Sequence, residues 1–259
     1  MSNHVLVERT GAIASIVLNR PEKLNAMTKA MWGALGDALC ALSDDESVRC
    51  IVVRGAGGKA FSPGNDISEF ETERHDPASA KAYGVHLNHA LKAFKDCRHP
   101  TLALIEGICV GGGLEIAALC DLRICGESSR FGVPINRLGL VMAYPEIAGL
   151  IDLVGRAATL EILLEGRVFG AQEAKDKGLV NRVVADGDVV AEAMATARRI
   201  ADGAPLVARW HKKFVRRLAD PAPLSDAELD EGYACYDTED FQTGYRSFLS
   251  KTKPAFKGR

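Results

Sequence analysis

The chain has 259 residues, 47% of them hydrophobic and 25% charged, with a formal net charge of −2. That length suits one large domain, or one with an appendage, and the even charge balance offers no basic surface to nucleic acid or to an anionic membrane. The seven cysteines, at 40, 50, 97, 109, 120, 125 and 235, are odd in number and form no CxxC pair. They read as buried free thiols of a reducing cytoplasm, not as a disulfide framework or a zinc site.

The opening "MSNHVLVERTG" carries no signal-peptide pattern. Residues 4–9 and 12–19 gather β-formers on either side of Thr10-Gly11, which predicts a hairpin. Residues 26–43 place Leu35, Leu39 and Leu42 on one helical stripe. "VRCIVVRG", "TLALIEG" and "DLRICG" read as short buried strands, separated by helical stretches near 77–97 and 113–120. The most apolar window, Thr101 to Cys120, is broken by Glu106, Glu115 and three glycines, which argues against a membrane span. Beyond about residue 145 the character changes. "EAKDKGLVNRVV" predicts a helix, a glycine stop and a strand, and from 186 onward only helical patterns remain, broken at Ala204-Pro205 and "DPAPLS". The expectation is an α/β core over residues 1–195 and a helical C-terminal region over 196–259.

Two glycine-rich loops follow buried strands. In the first, Gly55 to Ala60 matches GxGxxA, a loose dinucleotide-binding fingerprint. Pro63 and Gly64 interrupt the helix that such a motif must open, and no acid-ended strand follows at the ribose-binding distance. A phosphate-cradling P-loop is excluded too, because Val53 and Ala60 occupy positions that need Gly and Ser/Thr. The second loop is Gly111-Gly112-Gly113, which makes either a tight strand-to-helix turn or a row of bare N–H groups aimed at an oxyanion. "SPGND" supplies another bend that could face the same point. Glu115, set in the apolar run Leu114 to Leu119, is costly to bury as an anion unless paired or used.

"NRPEKLNAM", "AFSPGNDI", "GGGLEIAALCDLRIC", "FGVP…LGL", "AKDKGLVNRVV" and the closing "KPAFKGR" together resemble the crotonase family, the enoyl-CoA hydratase/isomerase superfamily, over nearly the whole chain. The resemblance implies a crotonase-like spiral of ββα units with a helical C-terminal region for trimerisation, and homotrimers often paired as hexamers. It implies an acyl-CoA or enoyl-CoA substrate in fatty acid metabolism, with coenzyme A arriving as part of that substrate and no separate cofactor or metal. Carried over by motif, the N–H groups of Asn65 and Gly112 form the oxyanion hole, and Glu115 is the acid/base. Asn65, Asp66, Ile67 and Ser68 would meet the CoA adenine through their backbone. Lys23, Leu24, Asn25 and Ala26 would line the CoA channel, and Phe256 with Lys257 would close over the nucleotide, sometimes on a neighbouring subunit.

The chain departs from the family pattern at the second hydratase glutamate, which falls at Ile135, and at an isomerase aspartate position, which falls at Ala143. Glu146 is the nearest remaining carboxylate. It reads either as a substitute acid or as a cap at the helix start after Pro145, while Tyr144 either donates a hydrogen bond or fills space. Hydration, isomerisation and decarboxylation therefore stay open, beside a non-catalytic acyl-CoA binder and, more distantly, a nicotinamide enzyme. His86 and His89 share an i, i+3 spacing with no third ligand at a suitable distance, so no metal site is expected.

Overall fold

The computed structural model describes residues 4–259; Met1 to Asn3, part of the stretch read for a targeting signal, lie outside the described residues. The predicted hairpin forms as β1 (Val5–Thr10) and β2 (Ile13–Leu18), antiparallel about Gly11. Helix α1 (Lys29–Asp44) buries Trp32, Leu35, Leu39 and Leu42, and the side chain of Thr28 caps its start by accepting from the Met31 N–H. Three successive turns of chain then repeat one plan. The first runs through β3 (Cys50–Gly55) and β4 (Ala60–Ser62), then α2 (Phe70–Glu73) and α3 (Pro77–Asp96). The second is β5 (Thr101–Ile105), β6 (Ile108–Val110) and α4 (Gly112–Leu119). The third is β7 (Leu122–Gly126), β8 (Arg130–Gly132) and α5 (Tyr144–Glu165).

Each turn sends its first strand to one sheet and its second strand to another. The larger sheet has the order β1-β2-β3-β5-β7-β10 and the smaller β4-β6-β8-β9. The last members in chain order are β9 (Phe169–Gly170) and β10 (Arg182–Val184), with α6 (Ala171–Asp176) between them. From β2 to β10 the larger sheet is parallel, so its strands are buried on both faces and read as continuous apolar runs. This is a crotonase-like spiral of ββα units.

One core lies between α1, α3, α4 and the sheets. On the other face, α7 (Val189–Ala201) packs Val189, Ala193 and Ala197 against Ile13, Val52, Leu102 and Ile124. The boundary expected at 195/196 falls inside α7, which belongs to the sheet. The remaining helices, α8 (Pro205–Arg217), α9 (Asp226–Glu231) and α10 (Glu239–Ser250), form the helical C-terminal region. Five of the cysteines are buried, Cys40 is exposed and Cys235 half-buried; all are free. Among the described residues no helix is long and apolar enough to cross a membrane, and no cluster of His, Cys, Asp and Glu has metal-binding geometry.

Candidate active site

The first loop leaves β4 at Ser62 and turns at Gly64, whose φ of +95° puts it in the region open to glycine. Ser62 fixes the bend: its hydroxyl accepts from the Gly64 N–H at 3.1 Å and donates to the Asn25 carbonyl at 2.9 Å. Met27 pairs alongside, donating to the Gly64 carbonyl and accepting from the Asp66 N–H, both at 2.8 Å. The Asn65 side chain is pinned inward, its Oδ1 accepting from Trp32 Nε1 at 2.7 Å and from the Tyr83 hydroxyl at 3.4 Å. Asp66 is anchored by an ion pair with Arg20 at 3.0 Å, and its hydrogen bond from Ser68, followed by Arg20, holds its carboxyl below the usual carboxylate range.

The second loop joins β6 to α4. Gly111 donates its N–H to the Gly132 carbonyl at 2.9 Å, and Gly112 opens the helix. The two loops touch. A Cβ placed on Gly113 would lie 2.2 Å from the Ser62 carbonyl oxygen, and one on Gly112 would lie 3.6 Å from the Asn65 nitrogen. Gly113 is glycine because the Ser62 backbone occupies the space a side chain would need, Gly112 is crowded by the Trp32 ring, 3.0 Å from such a Cβ, and Gly111 has a φ of +52°. Neither the Asn65 N–H nor the Gly112 N–H donates to a protein acceptor among the described residues. Two free donors on adjoining loops are suited to one oxygen that gains negative charge.

Glu115 sits in the first turn of α4, only 6% exposed, and its Oε2 is buried without a hydrogen-bond partner. Burial pushes the Glu115 carboxyl well above its ordinary range; the charge of Glu146 adds to the effect and Arg74 opposes it. Glu115, Asn65 and Gly112 all line one cavity of about 340 Å³. Its wall also takes in Ala26, Asp66, Ile67 and Ile135, with Phe70, Leu138 and Leu140 completing an apolar side. Larger hollows of about 460, 550 and 570 Å³ border α8, and none is lined by Asn65, Gly112 or Glu115.

Other predicted residues lie elsewhere. Lys23 and Leu24 are exposed beside the cavity, and Ser68 turns its hydroxyl back to Asp66. Asn25 is wholly buried: its amide donates to the carbonyls of Ala56 and Ala60 at 3.0 and 2.8 Å, stapling the loops. Phe256 and Lys257 are far away. Arg49, at the entry to β3, donates to the Phe256 carbonyl, and Asp240 accepts from the Lys257 N–H at 2.6 Å. The cavity lies beyond the opposite end of β3, so within one chain the pair does not reach it. Glu146 caps α5 by accepting from the Ala143 N–H, as one of its two readings expects, and its charge also reaches Glu115. Tyr144 is 91% exposed. His89 pairs with Asp37 at 2.9 Å. Trp32, Tyr83 and Arg74 escaped the sequence reading. The first two sit among core residues, and Arg74 lies in a charged stretch that reads as solvated surface.

The spiral of ββα turns, with two glycine loops meeting over a buried carboxyl, defines a crotonase-type α/β protein. Comparison with known proteins agrees and narrows the class. Residues 8–259 match the model of the family described as enoyl-CoA hydratase/isomerase. A solved enoyl-CoA hydratase/carnithine racemase from Magnetospirillum magneticum is similar at 50% identity and a TM-score of 0.98, over 100% of this chain and 97% of that one. A probable enoyl-CoA hydratase of Mycobacterium bovis is 34% identical over 258 residues, 98% of each chain. An enoyl-CoA hydratase from Bacillus anthracis superposes with a TM-score of 0.91 at 27% identity, covering 99% of this chain and 100% of that one. The chain belongs to the enoyl-CoA hydratase/isomerase family.

Proposed function

We propose that the protein acts on acyl-CoA thioesters by moving a proton at a carbon near the thioester carbonyl. The carbonyl oxygen sits between the N–H groups of Asn65 and Gly112, and Glu115 is the acid/base. The observation that carries this reading is the unpartnered Oε2 of Glu115, a residue that lines the same cavity as two unused backbone donors. A buried polar atom without a partner is rare and calls for a ligand. The two N–H groups stabilise charge as it develops on the oxygen, and burial raises the proton affinity of Glu115, which suits an acid/base.

The reaction type turns on the rest of the wall. Ile135 lines the cavity, and the family resemblance puts the second hydratase acid at this position. Without that acid the other carboxylate on the wall is Asp66, already engaged by Arg20 and Ser68, so the two-acid syn-hydration of the family is weakened. Isomerisation or decarboxylation of an activated acyl-CoA needs one acid/base, and these stay beside hydration within the enoyl-CoA hydratase/isomerase type. A panel of acyl-CoA esters read by mass spectrometry separates them. A gain of one water marks hydration, loss of CO2 marks decarboxylation, and an unchanged mass with altered absorbance marks isomerisation. No turnover of any ester, with CoA binding intact, would make the protein an acyl-CoA binder instead.

The exposed apolar side chains of α10 and its approach, Tyr233, Tyr236, Phe248 and Leu249, support assembly as a homotrimer or hexamer. Phe256 and Lys257 would then close over the nucleotide of a neighbouring subunit. A mass of one chain, 27.8 kDa, in light scattering at micromolar concentration would contradict this.

A further inference from the structure

The two donor loops share a neighbour that belongs to neither. Trp32 lies in the first half of α1, wholly buried, and its ring reaches both loops. Its Nε1 donates to Asn65 Oδ1 at 2.7 Å. Its Cζ2 lies 3.0 Å from where a Cβ on Gly112 would stand, so the ring rests against the bare face of that glycine. The Tyr83 hydroxyl, from α3, adds a longer bond of 3.4 Å to the same Asn65 oxygen. The direction of the Asn65 N–H has a separate origin. That N–H shares a peptide plane with the Gly64 carbonyl, which accepts from the Met27 N–H at 2.8 Å, and in a trans peptide the two point opposite ways. The Met27 bond therefore fixes the aim of the donor and not its distance from Gly112.

One oxygen takes both N–H groups only if their separation is right, and donors that must stabilise a developing charge have to be in place before it develops. We propose that Trp32 is the brace of the oxyanion site: a positioning residue that sets the spacing of the Asn65 and Gly112 N–H groups. It holds Asn65 through its indole N–H and stops Gly112 with its ring. The inference rests on the reading of those two groups as the donors to the thioester oxygen. Three residue choices then share one cause. Tryptophan carries an N–H donor on the edge of a large flat ring, asparagine offers the acceptor, and glycine leaves room for the ring. Trp32 does not line the cavity, so it acts through the loops and not on the substrate.

The test reads the thioester carbonyl directly. Butyryl-CoA labelled with carbon-13 at that carbon is bound, and its C=O stretch is followed by infrared difference spectroscopy. In parallel, kcat and KM are measured on the ester of the panel that turns over fastest. Trp32→Phe keeps most of the ring and loses the donor. Asn65→Ala keeps the backbone N–H, loses the acceptor and leaves the Trp32 ring in place, so it carries the test if the first variant folds poorly. The expected result is a band lowered on binding to the native protein and lowered less in both variants. With it, kcat falls about tenfold while KM stays within about threefold. The double variant is no worse than either single one, because both cut the same link. A full lowering with kcat within about threefold of native in Asn65→Ala, or losses that multiply in the double variant, overturns the brace and leaves the oxyanion donors standing. No lowering in the native protein with butyryl-CoA bound overturns the oxyanion reading itself.

Discussion

Two buried charges within one stretch of chain are treated in opposite ways. Arg123, 4% exposed, donates to the carbonyls of Leu179 at 2.9 Å, Ala117 at 3.3 Å and Asp121 at 3.4 Å, and to that of Cys120. Beside it Asp121 accepts from the Thr101 N–H at 2.7 Å and pairs with Lys212 at 2.6 Å and Arg216 at 3.4 Å. One helix earlier, Glu115 has a buried oxygen without a hydrogen-bond partner. Arg123 and Asp121 spend their polar groups on partners within the fold and join α4, the sheet and α8. Glu115 and the two loop N–H groups have no such partners and border a cavity. A buried polar group is costly unless the fold or a ligand satisfies it.

The largest expected effect comes from the open side. Glu115→Gln should lower turnover of the preferred acyl-CoA by about 10²–10⁴-fold, with thioester binding retained, because the amide keeps the shape and loses the proton. The same variant should alter stability in the other direction. Burial raises the proton affinity of Glu115 in the folded state. Its contribution is therefore complete below the unfolded-state value and is lost as pH rises through the folded value. Melting curves should show the variant holding its stability toward alkaline pH while the native protein declines; parallel curves would place Glu115 in contact with water.

On the satisfied side, Arg123→Leu should reduce stability by about 3 kcal/mol, since it strands several buried carbonyls, while turnover by the folded fraction stays near native. Urea unfolding at neutral pH measures it, and a change under about 0.5 kcal/mol would show that the network is dispensable. Lys212→Met leaves Asp121 with its longer ion pair only, and about 1–2 kcal/mol is expected by the same measurement. The smallest effect concerns His99, wholly buried near this network and pushed down to about 4, first by burial and then by Arg209 and Arg98. The unfolded chain takes up a proton that the native one refuses, so stability falls as pH drops from about 6.5 toward about 4. His99→Gln should flatten that slope, and an equal slope in both proteins would exclude His99 as its source.

Much of this was legible in the residues, and the exceptions have physical reasons. The strands of the larger sheet read clearly because burial on both faces writes an unbroken apolar run, as in "TLALI". The smaller sheet did not: β4, β6 and β8 have three residues each and β9 two, too few to show a period, and they exist because the spiral presses them together. Helix α5 was obscured by Gly155, whose φ of +74° breaks its regularity from within. Glu115 stood out as a charge in an apolar run, whereas Arg74 was camouflaged by Glu73 and His75 on either side. The pinning of Asn65 by Trp32 joins two segments that only folding brings together.

The meeting of the two glycine loops also separates what this scaffold can change from what it cannot. The donors at Asn65 and Gly112 are backbone atoms, positioned by strands that belong to neighbouring turns of the spiral. No single side-chain replacement on the cavity wall removes them. In the proposed mechanism the proton-handling groups are side chains, and Ile135 stands where the family resemblance puts a second acid. On that reading the grip on a thioester comes from the winding of the chain and the choice of reaction from an editable inscription of side chains, so new chemistry would arise one residue at a time with the hold on the substrate left standing.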